Sequence, residues 1–260
     1  SLFQAVFVQF GLLALGCKGF AAYSPTKSIN LTGTSGGFKR WKALWPAGYF
    51  TVGRSTDMIE KFAKKIPREL FSKSGKVFYS GRKAFDTEAQ IYLLGVNPGG
   101  DPIIRSEETV ESHTHYVLNK ATNDWSAYRD ECWGAPAGTS GMQPRVLHIL
   151  KNLNIPPGNA PASNLVFIRS RRESVIAGKI NELSEICWPF HEYVIEQLNP
   201  KVIICFGKTA GDFVRKKLNA KKQIDHFVET NNRRWTSRTF VNFERKIIVA
   251  THPSCNGSHY

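Results

Sequence analysis

The chain has 260 residues, with 35 Lys and Arg against 21 Asp and Glu and a formal net charge of +14. That length holds one large α/β domain or two small ones, the 42% hydrophobic content supplies a sizeable core, and the basic balance points to a polyanionic partner, nucleic acid being the commonest. The five cysteines, Cys17, Cys132, Cys187, Cys205 and Cys255, form no C-x-x-C pair, which leaves a zinc or iron–sulfur site with little support and favours a reducing cytosol over a secreted disulfide scaffold.

Ser1 to Cys17 is uncharged, rich in Leu, Phe, Val and Ala, and interrupted by Gln4 and Gln9. It lacks the basic start of a signal peptide and falls short of the ~20 apolar residues of a membrane span. A buried helix or docking segment is expected, with a membrane anchor as the minority alternative, and no membrane partner is expected. A chain that opens on Ser1 rather than Met reads as a trimmed piece. Ser24 to Gly37, with Pro25, Gly33, Gly36 and Gly37, reads as a loop. A helix is expected from Asp57, with Asp57 as N-cap and Glu60 closing a box-like pattern.

Ile91 to Gly95 is the clearest strand, ended by Asn97-Pro98-Gly99-Gly100. Val146, Ile149, Leu150 and Leu153 fall on one helical face, and a second strand is expected over Asn164 to Ile168. From Glu182 to Leu198 the apolar residues Leu183, Ile186, Phe190, Val194 and Leu198 keep helical spacing, with Pro189 expected to kink or restart the helix. Lys201 to Phe206 reads as a buried strand followed by a short helix through Phe213. Ile247 to Ala250 is the last strand and feeds His252-Pro253-Ser254. Strands alternating with helices predict a three-layer α/β/α sandwich around a central, mostly parallel sheet. In such sheets ligands sit off the carboxyl ends of the strands, and Asn97 and His252 lie just past two of them. The expected division is an N-terminal extension over 1–90, partly helical and packed on the core, and a main domain over 91–260.

Three segments carry groups suited to chemistry. Asn97-Pro98-Gly99-Gly100 presents an Asn on a turn whose glycines let a ligand approach the backbone, although Asn-Pro-Gly is also ordinary turn chemistry. His252, in a Pro/Ser turn, can donate a hydrogen bond to a developing anion, or be a surface histidine. Asn164 offers both a donor and an acceptor, matching the O4 and N3–H edge of uracil, or else caps the chain. The arginines that follow it, Arg169, Arg171 and Arg172, suit phosphates or a solvated loop.

Together these segments resemble the uracil-DNA glycosylase superfamily. Gly95-Val96-Asn97-Pro98-Gly99 is similar to the water-activating motif of the single-strand-selective and mismatch-specific classes, and His252-Pro253-Ser254 to the loop that meets base and phosphate. Asn164-Leu165-Val166, Glu185 to Phe190 and Leu198 to Ala210 resemble the core of the iron–sulfur bacterial and archaeal class. The likeness spans roughly Tyr92 to Ser254, in order. Departures are plain. Cys187 matches one cluster position without partners, so no cluster, metal or cofactor is expected. Past Ser254 the chain runs only to Tyr260, so the family's DNA-wedging loop is expected to be shortened or missing. Residues 1–90 resemble nothing.

The resemblance implies a monofunctional DNA glycosylase that hydrolyses the N-glycosidic bond of uracil or a modified pyrimidine, in DNA repair or phage defence. Such enzymes flip the base out of the duplex or act on single strands. It implies Asn97 and His252 as catalytic residues and Asn164 as the base reader, with Tyr128 or Trp133 stacking on the base or serving as core aromatics. Pro98, Gly99, Gly100, Ser254, Arg169, Arg171 and Arg172 would hold DNA phosphates. The partner would be duplex or single-stranded DNA, the chain a monomer, and the compartment cytoplasmic, or nuclear in a eukaryote. The insert from Asp101 to Pro144 leaves a bulkier phage base open as substrate. The alternatives from other classes are a catalytically inactive DNA-binding module and an unrelated nucleotide-binding α/β protein that reads a phosphate with Gly99 and Gly100, although the chain lacks both G-x-x-x-x-G-K-[ST] and G-x-G-x-x-G.

Overall fold

The structure, a computed structural model, describes residues 58–86, 88–230 and 232–253. The apolar start, the loop over 24–37, the Asp57 cap, Ser254 and Cys255 lie outside them. The strands are β1 (Ile91–Gly95), β2 (Ala162–Asn164), β3 (Val202–Phe206), β4 (Lys222–Val228), β5 (Thr236–Val241) and β6 (Lys246–Ala250). They form one sheet in the order β2-β1-β3-β6-β5-β4. The first four of that order run parallel, and β5 and β4 complete it antiparallel. The chain is therefore α/β, with a six-stranded, mixed but mostly parallel sheet.

The helices are α1 (Met58–Ala63), α2 (Arg82–Phe85), α3 (Val110–Asn119), α4 (Ala127–Asp130), α5 (Gln143–Asn152), α6 (Glu173–Ile176), α7 (Ile180–Leu198) and α8 (Lys208–Lys217). Sequence chemistry sets several of their ends. Thr109 and Ser112 form a reciprocal box at the start of α3, each side chain accepting the other's backbone N–H at 2.9–3.0 Å. α7 stops where Asn199 turns left-handed. Contrary to the expected kink, α7 continues through Pro189 as one helix.

Every residue of β1 and β3 is buried, which is why both read as unbroken apolar runs. The second strand covers Ala162–Asn164 instead of Asn164 to Ile168, beginning earlier and ending sooner, and beyond Val166 the chain changes partners. The Leu165 and Val166 N–H groups still donate to Gly95 and Val96 at 2.9 Å. Next, Phe167 accepts from the Lys76 N–H and the Arg169 N–H donates to Ser74. The described part of the N-terminal extension belongs to the same core. Phe62 meets the rings of Phe85 and Tyr193, and Ile59, Val77 and Phe78 are buried in one cluster with β1 and β3. Among the described residues no helix is long and apolar enough to cross a membrane.

Candidate functional site

A cleft of about 610 Å³ opens off the carboxyl ends of the parallel strands, within the size range of ligand pockets. Asn97, Asn164 and His252 all line it, together with Tyr128, Trp133, Gly99, Gly100, Arg169, Arg171 and Arg172. The sheet explains why residues so distant in sequence meet. Asn164 is the last residue of β2 and pairs with Gly95 at the end of β1. Asn97 follows β1 by two residues, and His252 follows β6 by two.

Asn97 has a fixed orientation. Its Nδ2 donates to the Pro98 carbonyl and to Ser170 Oγ, both at 2.9 Å. Ser170 gives its own hydroxyl proton to the Arg172 carbonyl, also at 2.9 Å, so it accepts from Asn97. The Asn97 amide nitrogen is thus committed inward, and Oδ1 is the atom left to accept a hydrogen bond.

Asn164 is 6% exposed and sits deep in the cleft. It packs so closely over Gly95 that a Cβ there would come within 2.1 Å of its Oδ1. A larger residue at 95 would push the Asn164 amide aside. Tyr79 lines the same cleft, and its phenol is held well above its ordinary range by burial first and by Glu131 second.

His252 is half-buried. Burial pushes its pKa below the ordinary value, against the pull of Glu173 and with the help of Arg145, so the ring is neutral at neutral pH. Two neighbours set its place. Gly207, at φ 99°, begins α8 and approaches the His252 ring to 3.6 Å from where a Cβ would stand. Arg145 of α5 donates to the Pro253 carbonyl, pinning the turn.

One wall is aromatic. Tyr79, Tyr128 and Trp133 contact one another with ring centroids 5.8–6.3 Å apart, all facing the cleft. Tyr128 is only 2% exposed, so it is both a core ring and part of the lining. Behind Trp133 stands Glu131, whose carboxylate accepts the indole N–H at 2.7 Å and pairs with Lys76 at 2.7 Å. Burial would raise the Glu131 pKa, but His113, Lys76 and Trp133 hold it at about 2. A permanent anion therefore fixes the indole. Lys76 also reaches Glu108 at 3.1 Å, and Glu108 binds Arg169.

The arginines separate into two kinds. Arg169 is 6% exposed, and its guanidinium is committed to Glu108, the Gly99 carbonyl and Ser74 Oγ. It braces the Asn97 turn from within instead of reaching outward for a phosphate. Arg171 and Arg172 are exposed on the rim, Arg171 paired with Asp101. Pro98 is buried, has no N–H to donate, and its carbonyl already accepts from Asn97 and the Ser170 N–H. Gly99 and Gly100 are exposed. Cys187 is buried in α7, where burial pushes its thiol up to about 12.

Sequence reasoning missed Tyr79, Lys76, Glu131 and Arg145. The first two come from the extension that resembles nothing, and no local pattern marks any of them as facing a cleft. No protein-family model matches the sequence, and no curated protein matches it either.

Proposed function

We propose that the chain is a DNA glycosylase of uracil-DNA glycosylase type, on a three-layer fold of that kind, removing uracil or a modified pyrimidine from DNA. The observation that carries the reading is the convergence of Asn97, Asn164 and His252 in one cleft at the strand ends. These are the three residues that the resemblance singles out, drawn from three separate segments.

In this reading a flipped pyrimidine enters the cleft edge-first. Asn164 meets its Watson–Crick edge with a donor and an acceptor. Tyr79, Tyr128 and Trp133 bound the ring. As the bond from N1 of the base to C1′ of the sugar breaks, the electron pair leaves with the base and positive charge grows on the sugar. The neutral His252 ring donates a hydrogen bond to the base oxygen where negative charge collects. Asn97 Oδ1 accepts a hydrogen bond from a water, aiming the water oxygen at C1′. That oxygen forms the new bond, its proton goes to solvent, and the departing base is reprotonated. The products are a free base and an abasic site.

A basic rim suits the same reading. Arg105 and Arg172 line the cleft beside Arg171, and a chain of net charge +14 attracts a phosphate backbone.

The test is base release. The chain is incubated with oligonucleotides carrying uracil, 5-hydroxymethyluracil or a mismatched thymine, in single- and double-stranded form. Free base is followed by chromatography and abasic sites by alkaline cleavage. Release of at least one base is expected. Intact DNA across the panel, with a folded protein that still binds it, would leave a binding module instead.

A further inference from the structure

We infer that the β4–β5 hairpin is a second contact with DNA, a platform on which Trp235 stacks with an unpaired base of a single strand that also enters the cleft. The inference rests on the glycosylase reading for its partner. It commits to single-stranded DNA as the occupant.

The sheet places the hairpin. β6 runs parallel to β3 and β1 towards the cleft, and β5 returns antiparallel to β6. The start of β5 and the turn before it therefore stand at the cleft end of the sheet. β5 and β6 pair from Val241↔Lys246 to Arg238↔Val249. The same register carried three residues further sets Trp235 level with His252. The junction is fixed by the Thr251 N–H, which donates to the buried Ser237 Oγ at 3.0 Å. Three strand spacings separate β5 from β1, or ~14 Å at ~4.8 Å each. A stacked strand rises ~3.4 Å per nucleotide, so about four nucleotides cover that span. One strand can thus engage the cleft and the hairpin together.

The indole is set in place before any ligand arrives. Arg233 lies over the Trp235 ring, 4.7 Å from its centroid. Glu229 Oε2 pairs with Arg233 at 3.4 Å, and the Glu229 N–H donates to the Trp235 carbonyl at 2.8 Å, closing the turn. Trp235 is still 40% exposed with Arg233 over it. A large aromatic with a guanidinium on one side and open surface left is suited to take a base on the other.

The neighbours are cationic. Arg234 has φ 52°, a left-handed backbone that favours glycine or asparagine over arginine. An arginine there strains the turn but holds a charge beside the indole. Arg234 and Arg238 are both exposed, and among the described residues no carboxylate pairs with either. Glu229 is 4% exposed and engaged by Arg233, and Asp225 lies further down the hairpin, opposite Thr239. The surface about Trp235 therefore suits an anionic strand better than a lipid or an ordinary protein face. Aromatic faces among cations are how sequence-tolerant binders hold the bases and phosphates of a single strand. A duplex hides its base faces in the stack, which is why the occupant is unpaired.

The test uses the full chain, a fluorescently labelled thymine-only strand of about 15 nucleotides and a blunt duplex of the same length. Affinity is read by anisotropy. Trp235→Ala is expected to bind the single strand about tenfold more weakly or worse, with duplex affinity within about twofold of wild type. Trp235→Phe should stay within about threefold on the single strand, because an aromatic face is kept. Arg234→Ala/Arg238→Ala, which leaves the indole intact, should lower the slope of log affinity against log salt by about 1.4, from two phosphate contacts at ~0.7 each. Wild-type affinity of Trp235→Ala for the single strand overturns the platform. So does an equal loss on the duplex, a Trp235→Phe variant as weak as Trp235→Ala, or an unchanged salt slope. Neither DNA carries uracil, so the platform is judged by binding and the glycosylase reading by base release, and the two can fail separately.

Discussion

Replacing Gly95 by alanine displaces Asn164 without changing it. The new Cβ would stand 2.1 Å from Asn164 Oδ1, whereas ordinary contact begins at 3.4 Å. The side chain must retreat by the difference, 3.4 − 2.1 = 1.3 Å. A misplacement of about 1 Å in a positioning group can lower a rate about a hundredfold. Single-turnover base release should therefore fall by about that factor. The strain on the fold should be only about 1–3 kcal/mol, read by denaturant unfolding. If the loss runs through Asn164, the Gly95→Ala/Asn164→Ala double variant should be no slower than Asn164→Ala alone, since coupled sites are not additive. Wild-type turnover by Gly95→Ala would refute the claim that Asn164 is held by the strand end. Fully additive losses would refute the claim that it is the route of the effect.

The remaining expectations follow from other parts of the cleft. His252→Ala should slow base release about a hundredfold to a thousandfold while a binding titration changes little, because the anion it faces exists only as the bond breaks. With burial holding His252 below its ordinary value of 6.5, the ring keeps one protonation state across pH 7–8 and the rate should be flat there. Arg171→Ala and Arg172→Ala, where each contacts a phosphate, should each reduce the slope of log affinity against log salt by about 0.9. Arg169→Ala should instead destabilise the fold by about 3 kcal/mol, because it breaks a buried ion pair. His191 is buried between Tyr92 and the Leu165 carbonyl, and burial pushes its pKa down to about 4 from 6.5. The unfolded chain thus takes up its proton first, so this stability is fully present above about pH 6.5 and lost as pH falls towards 4. The loss amounts to about 3 kcal/mol. Unfolding midpoints measured across that range should flatten in His191→Gln.

The sequence was most legible where burial is two-sided. Ile91 to Gly95 and Val202 to Phe206 are apolar runs because β1 and β3 lie inside the sheet. β4 left no such trace, since nearly all its residues face solvent and no alternation distinguishes its faces. The Asn164 strand was misjudged in length because Leu165 to Ile168 remain buried or nearly so after the register ends, packed against the Ser74–Lys76 segment. Pro189 misled because a proline's cost to a helix can be offset by packing, and Trp188, Phe190 and His191 on either side are buried. In the cleft, Asn97 and His252 could be found because each follows a strand, and Asn164 because its side chain offers a donor and an acceptor in a segment that carries the resemblance. Tyr79 and Glu131 could not, because their place depends on how the extension and the insert fold over the sheet. Arg169 looked like its neighbours Arg171 and Arg172 in sequence, and only burial separates a bracing arginine from rim ones.

The central claim is that Asn164 reads a pyrimidine edge in a cleft that severs the base from its sugar. Its most direct test is single-turnover base release by wild type and Asn164→Asp on matched oligonucleotides carrying uracil or cytosine. The carboxylate keeps the size of the amide but loses its donor, so the pattern facing the base changes. Wild type is expected to release uracil, and Asn164→Asp to release it far more slowly and to shift its preference towards a base that offers a donor there, as cytosine does. Equal uracil release by the two proteins, or none by either, would contradict it.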